Sequence, residues 1–76
     1  MSSIYSDEYQ LVIKLLRSAR IDRRITQSQL AESLGKPQSF VAKVENGERR
    51  LDVIEFATIA RLLSLDPAEI LNAVMK

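Results

Sequence analysis

The side chains available for chemistry in this sequence are amides and cations rather than nucleophiles. None of the 76 residues is cysteine or histidine, which excludes disulfides, thiolate or imidazole catalysis and the common zinc sites. We therefore expect neither an enzyme nor a bound metal or cofactor. Glutamine, lysine and arginine side chains instead recognise other molecules through hydrogen bonds and charge.

The cations are concentrated in the middle of the chain. Residues 14–50 contain nine lysines and arginines against four acidic residues, a net charge of +5, whereas residues 1–13 and 51–76 each carry −2. A basic block between acidic ends is typical of a DNA-binding face. A solvated, arginine-rich helical surface is the alternative explanation.

Within this block, a few side chains have the chemistry to read base edges. The amide of Gln38 can exchange two hydrogen bonds with N6 and N7 of adenine, and Lys43 suits the acceptors of guanine or a phosphate. Ser39 can pair with several bases. With one small neighbour, they form the base-reading set that we expect: Gln38, Ser39, Ala42 and Lys43.

A short helix is predicted immediately before these residues. Thr26 and Gln29 have the spacing of a capping box, so the helix should begin at Gln27. Its apolar residues recur at helical spacing: Leu30, Ala31 and Leu34. Gly35 supplies the positive φ that ends a helix. We also expect that a Cβ added at Gly35, or a larger side chain at Ala31, would push the next helix away.

A second short helix carries the base-reading set. Pro37 suits a turn or a helix start, and Asn46-Gly47 ends the pattern. The apolar residues of this helix are Phe40, Val41 and Val44. They leave the base-reading set on the outward side. Phe40 belongs to the core in one interpretation and contacts a thymine methyl group in the other.

Residues 26–47 therefore resemble a helix-turn-helix, because two short helices are joined by about three residues that include glycine. In DNA-binding versions of this motif the second helix enters the major groove. An ordinary αα-hairpin in a small bundle has the same spacing. The spacing alone leaves both interpretations open.

Three further helices flank the motif. Ser6 can cap a helix that runs to about Ile21, with Val12, Leu15, Leu16 and Ala19 facing inward. Asp52 with Glu55 and Asp66 with Pro67 signal two more starts, the last helix extending over about 67–75. Residues 1–5 are predicted to form a short frayed arm. We expect an all-α fold of five helices and a single domain over residues 1–76.

The motif letters resemble those of the Cro and phage-repressor (Xre-like) family. The resemblance comprises T-Q at the first helix start, L-A within it, G at the turn, Q-S at the second start and E-N-G at its end. It continues through E-R-R-L-D-V-I-E-F to D-P-A-E-I-L-N and covers about residues 11–74. It implies a repressor-like DNA-binding domain.

The resemblance also implies roles for individual residues. Gln27 is expected to bind a backbone phosphate and to touch Gln38, and Arg20 is expected to form a structural ion pair with Glu45. The complete set expected to contact the DNA backbone is Gln27, Lys36, Asn46, Arg49 and Arg50. Arg23 and Arg24 depart from the family pattern, and whether they add phosphate contacts is left open.

A homodimer is expected to form through the C-terminal region. If Ile70 and Val74 face the core, Leu71 and Met75 lie on a second apolar stripe. The expected dimer residues are Leu65, Leu71 and Met75.

The sequence predicts a transcriptional regulator, a repressor or autoregulator, that binds a palindromic operator in double-stranded DNA. An antitoxin-type module that neutralises a partner enzyme is the alternative. A carrier protein is disfavoured, because Ser64-Leu65-Asp66 is not the Asp-Ser-Leu that phosphopantetheine attachment needs. No apolar run approaches the length that spans a bilayer, so we expect a cytoplasmic protein. The family resemblance implies a bacterial or phage origin. No small-molecule ligand is expected.

Overall fold

Five helices make up the computed structural model, which describes residues 6–75. They are α1 (Asp7–Asp22), α2 (Gln27–Leu34), α3 (Gln38–Glu45), α4 (Val53–Leu62) and α5 (Pro67–Val74). No strand occurs among the described residues. The all-α, five-helix prediction is confirmed. The arm predicted for residues 1–5 lies outside the described part of the chain.

Four of the five helices begin at a side-chain cap. Thr26 and Asp52 form complete capping boxes with the residues three positions later, Gln29 and Glu55. The other two caps, Ser6 and Asp66, each accept one backbone N–H. These contacts satisfy donors that a helix start otherwise leaves open. α3 differs, because its N-cap is Pro37, which forms no side-chain cap.

Helices α1 to α4 end alike, because each is followed within two residues by a residue in the left-handed conformation. These residues are Arg24, Gly35, Gly47 and Ser64. In each case the next backbone N–H donates to a carbonyl five residues earlier, as Leu65 does to Ala60 at 2.8 Å. This is the Schellman motif. The expectation of a steric role for Gly35 was wrong, because an added Cβ would meet nothing within 4 Å. The turn requires its φ of 69°, not its small size.

The core is built from every helix. Its buried members are Val12, Leu16, Ala19, Leu30, Ala31, Val41, Phe56, Ile59, Ala60, Leu63, Ile70 and Val74. Ala31 is 1% exposed and Ala60 is fully buried, so small side chains allow neighbouring helices to approach closely. Ile70 and Val74 face inward, which meets the condition set for a second apolar stripe at Leu71 and Met75.

The inward face of α1 is rotated from the predicted one. Leu15, expected inside, is 38% exposed, whereas Ile13 is buried. Each helical residue turns by roughly 100°, so a stripe that includes both Ile13 and Arg20 excludes Leu15. Arg20, on this stripe, donates to the Glu45 carboxylate on α3.

Candidate nucleic-acid interface

Tight packing of α2 against α3 determines which side of α3 faces outward. Ala31 on α2 and Val41 on α3 are both almost fully buried. Of the predicted base-reading residues, Gln38, Ser39 and Lys43 are exposed and Ala42 is half-buried. The structure thus leaves a mainly polar, solvent-facing surface along one side of α3.

A bidentate ion pair anchors the end of α3 to α1. Arg20 Nε lies 2.6 Å from Glu45 Oε2, and Arg20 Nη2 donates to Glu45 Oε1 at 3.0 Å. The third guanidinium nitrogen, Nη1, donates to the carbonyl of Ile25 at 2.8 Å, just before α2. The two charged side chains are only 10% and 8% exposed. The pair therefore holds α1, α3 and the approach to α2 together.

The same carboxylate also contacts Gln27, which in turn contacts Gln38. Gln27 Nε2 donates to Glu45 Oε1 at 2.9 Å, and Gln38 Nε2 donates to Gln27 Oε1 at 2.7 Å. We call these three residues, Glu45, Gln27 and Gln38, the glutamine network. The contact between the glutamines was expected from the resemblance. The contact with Glu45 was missed, since no local pattern links residues 18 positions apart.

Phe40 of α3 packs against the core, and two cationic side chains lie over its ring. It is half-buried against the apolar cluster. Lys36 Nζ lies 5.4 Å and the Arg49 guanidinium carbon 5.0 Å from the ring centroid, within the range of cation–π attraction. The ring thus gathers two of the residues expected to contact the DNA backbone.

The two arginines of the loop after α3, Arg49 and Arg50, also contact neighbouring residues. Arg49 donates to Glu55 Oε2 at 3.0 Å and to the carbonyl of Arg50. The guanidinium carbon of Arg50 lies 4.8 Å from the centroid of the Tyr9 ring. Asn46 is exposed at the C-cap of α3.

The two arginines that depart from the family pattern, Arg23 and Arg24, lie at the end of α1. Arg23 Nη1 donates to the carbonyl of Ala19 at 3.4 Å. Arg24 takes the left-handed position after α1, with a φ of 58°. Both side chains remain exposed.

The residues expected at a dimer contact differ in how accessible they are. Leu71 on α5 is 42% exposed, and Met75, the C-cap residue of that helix, is 67% exposed. Leu65 is half-buried and packs against the core, so much of its side-chain surface is inaccessible to a second subunit.

Two kinds of site are not found within residues 6–75. No described group of three or more Asp and Glu side chains could hold a metal ion. None of the described helices is long and apolar enough to cross a membrane.

Comparison with known proteins places this geometry in a family. A helix-turn-helix family model matches residues 16–70. A solved structure, that of an XRE-family like protein from Pseudomonas syringae pv. tomato str. DC3000, is 50% identical in sequence and has a TM-score of 0.84. The match covers 90% of this chain and 83% of that chain. The chain belongs to the XRE helix-turn-helix family.

Membership in the XRE family confirms the resemblance drawn from the motif letters. It makes this chain a DNA-binding protein of the transcription-regulator kind. No curated protein matches the chain.

Proposed function

We propose that this XRE-family protein is a sequence-specific repressor or autoregulator that binds a palindromic operator as a dimer, in the cytoplasm. The observation that carries the proposal is the outward face of α3, whose first residue, Gln38, is exposed yet held by Gln27 at the start of α2. A polar helix face fixed against its partner helix suits insertion into the major groove.

Two sets of residues are proposed to contact different parts of the DNA. The residues proposed to contact base edges are Gln38, Ser39, Ala42 and Lys43. The residues proposed to contact phosphates are Gln27, Lys36, Asn46, Arg49 and Arg50. Phosphate contacts position a protein without naming a sequence, whereas contacts with base edges discriminate between sites. The cations gathered at Phe40 and Tyr9 support this division, because they lie beside the recognition helix but outside its exposed face.

Dimerisation sets the form of the operator. Each subunit supplies one recognition helix, so a two-fold dimer reads two inverted half-sites. Their centres should lie about 34 Å apart, or 10–10.5 base pairs, on one side of the duplex. The proposed contacts between subunits are Leu71 on α5, Met75 at the C-cap of that helix and the accessible part of Leu65.

The proposal is tested by selecting bound duplexes from a random pool and then titrating the enriched site at several salt concentrations. We expect an enriched inverted repeat. Gln38→Ala should reduce affinity for that site by about 1–3 kcal/mol and relax the preference at one position, with little effect on random DNA. Arg50→Ala is the matched comparison. It should weaken binding to both DNAs and lower the salt slope by about one unit.

Two results would contradict the proposal. One is the absence of any enriched inverted repeat. The other is a folded Gln38→Ala protein whose preference is unchanged at every position, which would show that α3 does not read sequence.

A further inference from the structure

We propose that Glu45 is a positioning residue for base recognition: by fixing the amide orientations of Gln27 and Gln38, it makes the recognition helix prefer adenine to guanine. The inference rests on the proposed function, in which Gln38 contacts a base edge. It gives Glu45 a second role, distinct from its ion pair with Arg20.

The first step is the orientation of Gln27. Both oxygens of Glu45 accept guanidinium hydrogens from Arg20, at 2.6 Å and 3.0 Å, so the carboxylate offers acceptors only. Gln27 meets Oε1 of this carboxylate at 2.9 Å and must present its NH₂ group there, because its carbonyl oxygen would face another acceptor. The side-chain oxygen of Gln27 is therefore turned away from Glu45.

The second step transfers this orientation to the recognition helix. The oxygen of Gln27 lies 2.7 Å from the side-chain nitrogen of Gln38. With its own amide reversed, Gln38 would place oxygen against oxygen at this distance. Gln38 must therefore donate one of its two side-chain N–H groups to Gln27, within the protein. It retains one N–H donor and one carbonyl acceptor for a ligand.

The third step concerns the bases that can form hydrogen bonds with the remaining N–H donor and carbonyl acceptor of Gln38. In the major groove adenine offers a donor at N6 and an acceptor at N7, which match one acceptor and one donor. Guanine offers two acceptors, O6 and N7, and needs two donors. An unrestrained glutamine can donate both amide hydrogens to guanine, whereas Gln38 in the glutamine network has only one amide hydrogen free to donate. The network therefore favours adenine over guanine at the base that Gln38 reads.

The main variant for the test is Gln27→Met, which removes the intervening amide and leaves Arg20 and Glu45 paired. Full-length protein is titrated against two duplexes that differ only by adenine or guanine at the position read by Gln38. We expect the ratio of the two affinities to fall by about fivefold or more, the lower end of what one bidentate contact contributes. A lost phosphate contact weakens binding to both duplexes and cancels in the ratio.

A second variant, Glu45→Gln, tests the carboxylate itself. Its amide can donate as well as accept, so the orientation of Gln27 is no longer enforced and the same ratio should fall. Thermal unfolding shows whether the variant is folded at the assay temperature. The matched control is Gln27→Met combined with Gln38→Ala, in which the change at Gln27 should no longer affect the ratio.

A DNA-free readout accompanies these titrations. In nuclear magnetic resonance spectra of the free protein, the side-chain amide signals of Gln38 should move to the positions of an unrestrained glutamine in Gln27→Met. Unmoved signals would overturn the inference, as would a folded Gln27→Met protein that keeps the wild-type ratio. Failure of the proposed function gives a different pattern. In that case Gln38→Ala changes no base preference while the amide signals still move, and the role of Glu45 in recognition falls with it.

Discussion

At the scale of single residues, Arg20 is a charged residue whose side chain is only 10% exposed, and the side chain of its partner Glu45 is 8% exposed. Its guanidinium donates to two carboxylate oxygens and to a backbone carbonyl. No buried side-chain nitrogen or oxygen in this part of the chain lacks a hydrogen-bond partner. A buried charge is tolerated only when it is matched in this way, so the environment of Arg20 depends on Glu45.

This dependence predicts the result of a double-mutant cycle. Either single change, Arg20→Met or Glu45→Met, leaves a largely buried charge without its bidentate partner and should destabilise the fold by about 3–5 kcal/mol, against about 0–1 kcal/mol for an exposed pair. The double variant should recover much of the loss, because apolar side chains can fill the space of a buried pair. Urea unfolding measures all four proteins. Additive losses would show that the two side chains are not coupled.

At the scale of elements, three helices of eight residues each, α2, α3 and α5, are too short to be stable in isolation. α2 compensates with a capping box at its start and a Schellman motif at its end. α3 lacks a side-chain cap and depends more on packing and on its ion pair with α1. Order at the recognition helix is therefore supplied largely by its neighbours.

The helix ends predict opposite effects for two substitutions. Gly35 and Ser64 both have positive φ, 69° and 60°. Ser64→Gly should stabilise the fold by roughly 0.5–1 kcal/mol, because it relieves the left-handed strain at a smaller entropic cost. Gly35→Ala should destabilise it by about 1–2 kcal/mol. Gly35→Asn is the matched control and should cost less than alanine, since asparagine tolerates this conformation. Urea midpoints test the order, and a less stable Ser64→Gly protein would contradict it.

At the scale of the whole molecule, the basic and apolar surfaces belong to different segments. The positive block extends from α1 to the loop after α3, whereas the exposed Leu71 and Met75 lie on α5 and at its C-cap. Leu71 also lines a groove with Val53 and Phe56 of α4, and Arg50, one of the proposed phosphate contacts, lies at the same groove. An apolar surplus on a helix outside the DNA-reading motif is the arrangement expected if dimer contacts and DNA contacts are separate.

This separation predicts that dimerisation can be removed without unfolding the protein. Leu71→Glu should give a folded monomer with weakened affinity for the two-half-site operator, because a charge would be buried at the contact. Sedimentation and circular dichroism measure assembly and folding. Leu62→Glu is the control, since Leu62 is 40% exposed against 42% for Leu71 but is outside the proposed contact. A wild-type protein that stays monomeric at high micromolar concentration, with or without DNA, would exclude this interface.

Much of the fold was predictable because its signals are local. The four side-chain caps, the glycine after α2 and the starts of α2, α4 and α5 all depend on residues within about four positions of one another. The motif letters then identified the family, and the family model and solved relative confirm it. The outward placement of Gln38, Ser39 and Lys43 likewise follows from the helical period, once Val41 and Val44 are inside.

The sequence by itself thus determined the helices, their order and the family, while the tertiary structure decided how side chains meet between helices. Only the packed structure shows that Ile13 rather than Leu15 faces inward and that Phe40 lies against the core under two cations. It also places the Glu45 carboxylate against Gln27, 18 positions away. Helix periodicity repeats every 3.6 residues, but it does not fix the rotation of one helix against another. That rotation follows from the simultaneous packing of all five helices and from satisfying the buried charge of Arg20.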